Sequence, residues 1–176
     1  TSNIVFPFII IVAFLNVPLV IIRNQTQGFD VYFSLMSVFV LASISTFLFY
    51  MYAQRGIHAD WQRRLLLFPV FMAGSMGLAV NNTKAVLEAL VGKKSEFKRT
   101  PKYKIEKAGD DWRKKRYSQK RIGWMVLVEL ALAAYFVFGI ATSISYSEIA
   151  AIPFQLMFLV GFGTVGALSL HHAITR

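Results

Sequence analysis

The sequence has no cysteine, which excludes disulfides, thiolate metal sites and a cysteine nucleophile. Charge is scarce too: Asp, Glu, Lys and Arg make up 16% of the 176 residues, against about 25% in soluble globular domains. Histidine is nearly absent, and two of the three, His171 and His172, are neighbours that point in different directions on a helix and make a poor metal-ligand pair. No H-E-x-x-H, Gly-rich phosphate loop or G-x-S-x-G occurs, so an active site would have to be built from very little. What remains is apolar. A hydrophobic content of 56% places the chain in the membrane class.

The net charge of +10 resembles a nucleic-acid signal until its position is considered. Residues 93 to 121 hold 13 of the 19 Lys and Arg against Glu96, Glu106, Asp110 and Asp111, so this one stretch carries +9 of the +10. A basic stretch between hydrophobic runs is first a topology signal, because Lys and Arg are retained on the cytoplasmic side and attracted by anionic lipid. Without a recognition fold, nucleic acid is not an expected partner. The lipid bilayer is.

Ile4 to Ile22 is free of charge and spans about 28 Å as a helix, close to a hydrocarbon core of about 30 Å. Pro7, Asn16 and Pro18 interrupt it, which a helix inside a bundle tolerates. Val31 to Tyr52 predicts a second span, with Tyr50, Tyr52 and Arg55 as an interfacial edge. Trp124 to Ser143 and Ile149 to Ser169 predict a second hairpin. The stretch 65 to 91 is harder, since Leu65 to Val80 is uncharged and its continuation to Val91 is amphipathic. Arg55, Arg63 and Arg64 before it and the basic stretch after it both want the cytoplasm, which predicts a helix lying at or dipping into that interface, with Trp61 as anchor.

The expected fold is therefore an all-α membrane protein with four transmembrane helices, one interfacial or re-entrant helix and a basic cytoplasmic loop. Its parts are a transmembrane hairpin over 1–54, the interfacial or re-entrant helix over 55–92, the basic loop over 93–121 and a second hairpin over 122–176. A multi-pass protein of the inner membrane follows. The chain opens at Thr1 without a signal peptide and is expected to be a segment of a longer polypeptide.

The run Gly77-Leu-Ala-Val-Asn-Asn-Thr-Lys-Ala-Val-Leu-Glu-Ala-Leu-Val-Gly-Lys-Lys-Ser-Glu-Phe-Lys-Arg-Thr-Pro-Lys-Tyr103 resembles the membrane-embedded C-terminal part of bacterial family-2 glycosyltransferases of the cellulose-synthase-like group. In that group an interfacial helix leads into a gating loop with the pattern F-x-V-T-x-K, followed by two more transmembrane helices. Here Phe97, Thr100 and Lys102 take the F, T and K positions, while Arg99 replaces the valine. The resemblance implies that this loop closes over a nucleotide-sugar donor and that the product is a growing glycan or a lipid acceptor bearing sugar. It also implies that the catalytic domain, with its aspartates and a divalent Mg or Mn ion, lies N-terminal to Thr1, so that this segment alone is inactive and binds no cofactor itself.

The chemistry suits the residues. A sugar nucleotide presents a diphosphate, and hydroxyl and cationic donors on a tether, here Thr100, Lys102 and Arg99, can approach that charge and leave with the product, with Phe97 as an apolar pin. The competing reading is a self-contained transporter subunit or scaffold whose basic loop binds lipid. Two further features stand out. Glu129 lies inside the third expected span, where a charge costs about 2.5–3.5 kcal/mol, so it must face protein or water or be protonated. Gly161, Gly163, Gly166 and Ala167 offer a small-residue face for close helix packing.

Overall fold

A computed structural model describes residues 2–36, 38–93 and 123–174. The described residues are helical throughout, with no strand among them. A 3-10 turn, Ser2–Ile4, leads into α1, Val5–Gln25. There follow α2, Asp30–Met36; α3, Val38–Ile57; α4, Trp61–Leu65; α5, Phe68–Gly77; and α6, Ala79–Leu90. After the basic stretch come α7, Trp124–Ser145, a 3-10 turn, Ile149–Ala151, and α8, Ile152–Ile174. Pro69 and Pro153 fall in the first turns of α5 and α8, where a missing N–H leaves no bond unmade.

Among the described residues, three helical segments are long and apolar enough to cross a membrane: Val5–Gln25, Trp124–Ser145 and Ile149–Ile174. They coincide with three of the four expected spans and run a few residues beyond each. The outward faces of α1 agree with that assignment, since Phe8, Ile11, Val12 and Leu15 are all exposed. The expected second span is shared between α2 and α3, and α3 runs on past the aromatic edge through Gln54 and Arg55, which lowers its apolar character. Helices α4–α5 and α6 instead form a pair bent by 43°, which counts as a fourth crossing if it is one broken span.

The core lies where α7 packs along α8. Phe136, Phe158 and Phe162 are buried there as near-parallel rings, with Phe136 and Phe158 centroids 4.8 Å apart. On α1, Ala13, Val17 and Val20 recur at helical spacing and form the buried stripe. Gly139 of α7 allows this close approach, since a Cβ there would come within 2.6 Å of the Val17 side chain.

Helix α5 crosses α8 through small residues. A Cβ on Gly77 would collide with the Gly161 carbonyl, and one on Gly161 would collide with that of Ala73, so the two backbones are in direct contact. Gly161 lies nine residues into α8, about 14 Å along it. The α5–α6 corner therefore reaches deep into the bundle and does not lie flat against its end, as either a re-entrant helix or a broken span would.

Candidate functional site

The helix ends define two poles. At one, Arg23 Nη1 of α1 pairs with Glu148 Oε2 at 3.1 Å, Asn24 Nδ2 donates to Glu148 Oε1 at 3.2 Å, and Gln25 Nε2 donates to the Tyr146 hydroxyl at 2.9 Å. The turn after α1 and the α7–α8 link thus meet, as expected for two links on the same side. The opposite pole carries the N-termini of α1 and α7 and the C-terminal end of α6, whose Ala89 and Leu90 lie beside Asn3 and Ile4.

At this second pole Lys93, just before residues 94–122, and Trp124, just beyond them, line one groove of about 560 Å3 between α1, α6 and α7. The floor is apolar, built from Ile10, Phe14, Val80, Leu87, Val128 and Leu132. The rim is charged. Lys84 Nζ sits 5.9 Å from the centre of the Trp124 ring, and Lys93 Nζ donates to Glu88 Oε1 at 2.8 Å. That contact holds the Glu88 carboxyl below its ordinary range. The expected site residues Phe97, Arg99, Thr100 and Lys102 lie outside the described residues. The structure brings together the residues that flank them.

A second polar feature crosses the bundle. Ser143 Oγ donates to Gln155 Oε1 at 3.0 Å, and Gln155 Nε2 donates to Asn16 Oδ1 at 2.9 Å, tying α7, α8 and α1 together. Ser143 and Gln155 are fully buried. In the sequence Asn16 marks only an interruption and the other two pass unnoticed; the available signal is the rarity of amide side chains inside apolar runs. Glu129 faces protein, 2% exposed, with Gly166 opposite its Cβ. Its Oε2 has no hydrogen-bond partner among the described residues. No cluster of three or more His, Asp or Glu able to hold a metal occurs among the described residues.

Among the described residues these features define an all-helical fold with three helices long and apolar enough to cross a membrane, an apolar groove with a cationic rim at one pole and an ion pair at the other. Comparison with protein-family models, curated proteins and solved structures matched nothing.

Proposed function

We propose that this chain is the membrane-embedded, gating portion of a sugar-nucleotide-dependent glycosyltransferase that makes a glycan or glycolipid, its catalytic domain lying N-terminal to the segment. The observation that carries the reading is the run from Gly77 to Tyr103, with Phe97, Thr100 and Lys102 in the positions of a cellulose-synthase-like gating pattern. Its placement supports the same reading. The described part of the run starts at the α5–α6 corner and follows α6 to the pole opposite Arg23 and Glu148, where Lys93 lines the same groove as Trp124.

In this reading the chain sits in the inner membrane, with α1, the α2–α3 segment, α7 and α8 as its four spans and α5–α6 dipping from the cytoplasmic side. The donor nucleotide-sugar binds in the catalytic domain, which also holds a divalent Mg or Mn ion. Thr100, Lys102 and Arg99 reach the donor diphosphate as a loop closes, and Phe97 pins the loop in place.

The test uses the complete enzyme in membranes. Thr100→Ala and Lys102→Ala should each lower turnover about tenfold to a hundredfold, the equivalent of one charge-assisted hydrogen bond, with expression unchanged. Lys104→Ala and Lys107→Ala carry the same charge change outside the pattern and serve as controls. Equal and small effects at 102, 104 and 107 would sink the gating role and leave the stretch as an orientation signal. The 176-residue chain alone should transfer no sugar.

A further inference from the structure

We propose that the groove between α1, α6 and α7 is a binding site for one anionic phospholipid, an acyl chain lying on its apolar floor and the phosphodiester held between Lys84 and Lys93. The inference rests on the groove alone and stands whether or not the chain serves a glycosyltransferase.

Charge selects the headgroup. The rim carries Lys84 and Lys93 against Glu88, a local balance of +1, which matches a phosphodiester bearing one negative charge. A zwitterionic lipid would place its own cation beside the lysines and gain less. Lys84 lies 5.9 Å from the centre of the Trp124 ring, and Lys93 pairs with the exposed Glu88 carboxylate. Both stand at the mouth of the groove, where lysines attract anionic lipid. Trp124 marks that level in its own right, as an aromatic ring at the end of an apolar helix.

The floor selects the tail. Its volume lies within the range of about 300–1,000 Å3 typical of ligand pockets, and its six apolar side chains present nothing that pairs with a peptide N–H or carbonyl. An extended protein segment laid there would leave backbone groups unsatisfied, at a cost of several kcal/mol for each. An acyl chain has no such groups.

The experiment keeps Trp124 as the sole tryptophan, through Trp61→Phe and Trp112→Phe, and reconstitutes the chain in phosphatidylcholine vesicles. A rising share of either phosphatidylglycerol or phosphatidylcholine with brominated acyl chains is added, and quenching of Trp124 is read. Brominated phosphatidylglycerol should reach half-maximal quenching at about a fivefold lower share, as one net unit of charge at a membrane surface allows. Lys84→Gln with Lys93→Gln should abolish the difference while quenching by brominated phosphatidylcholine persists, which reports an intact groove. Lys84→Arg with Lys93→Arg should restore the preference, and Lys104→Gln with Lys107→Gln should leave it in place. Equal quenching by the two lipids, or a preference that survives loss of both rim lysines, overturns the site. Absence of quenching by either lipid also overturns it, because something other than lipid then fills the groove.

Discussion

The Tyr135 hydroxyl of α7 donates to the Phe14 carbonyl of α1 at 2.7 Å. Phe14 is the residue four before Pro18, and a proline inside a helix supplies no N–H to that carbonyl. In a hydrocarbon environment no water would take its place. Tyr135 therefore completes on α1 the bond that Pro18 withholds, and the proline site of one helix becomes a point of attachment for another.

A double-mutant cycle tests this coupling. Tyr135→Phe should destabilise the folded chain by about 1–3 kcal/mol, the cost of an acceptor left bare. In a Pro18→Ala background, where the N–H restored at position 18 can bond to the Phe14 carbonyl within the helix, the same change should cost much less. Reversible unfolding in mixed micelles gives both numbers, and equal costs in the two backgrounds would disprove the link.

The crossing of α5 and α8 predicts a sharp difference among neighbouring glycines. Gly77→Ala or Gly161→Ala forces a methyl group into the facing backbone, and overpacking of this kind costs about 1–3 kcal/mol or more. A Cβ on Gly163 meets nothing nearer than Ala133 Cβ at 3.9 Å, so Gly163→Ala should be tolerated. Thermal unfolding of the three variants decides the matter. A Gly163 variant as damaged as the other two would mean that α8 uses a different face.

The three helices long and apolar enough to cross a membrane are legible in the sequence because apolar runs of about 20 residues with at most one charge have few alternatives. Glu129 is legible as a residue that must turn inward, for the same reason. The joining contacts are not. Nothing in the periodicity of α1 says that Asn16 meets Gln155 or that Tyr135 reaches Phe14, since these pairs are separated by more than a hundred residues and depend on how the helices rotate against each other. The stretch 65–91 is visibly irregular in the sequence, but nothing there shows that its corner at Leu78 reaches the middle of α8, because that depends on the missing side chains of Gly77 and Gly161. The gating residues Phe97, Arg99, Thr100 and Lys102 rest on the resemblance alone.

The rim pair gives a pH prediction. The Lys93 ammonium holds the Glu88 carboxyl below its ordinary value of 4.5, so the pair adds stability above that value and loses it as pH falls through the depressed one. The effect is small, as Lys93 is 66% and Glu88 38% exposed. Titration followed by carboxyl carbon shifts, in zwitterionic micelles, should put the Glu88 midpoint below 4.5 and return it there in Lys93→Gln. A midpoint indifferent to that substitution would show that the pair does not form in solution.

The last prediction concerns the path of the chain between α1 and α6. Two arrangements give four crossings and place α1, α7, α8 and the basic stretch identically. In one, the α2–α3 segment crosses and α4–α6 dips in and returns. In the other, α2–α3 stays on the outer side and the bent pair from Trp61 to Leu90 crosses as a broken span. Length and apolarity admit the second, but it would leave Arg55, Arg63 and Arg64 outside, against the usual retention of basic residues. The first arrangement keeps them in, and it is the one expected. The absence of native cysteine makes the test direct. Single cysteines at Thr26, His58 and Val91 in sealed inverted and right-side-out vesicles are treated with a thiol reagent that cannot cross the membrane. Position 26 should react from outside, and positions 58 and 91 only from the cytoplasmic side. Reaction of position 58 from outside, with 91 still inside, would establish the broken span. The basic stretch and the Arg23–Glu148 pole would then keep their sides, and the roles of α2–α3 and α4–α6 would be exchanged.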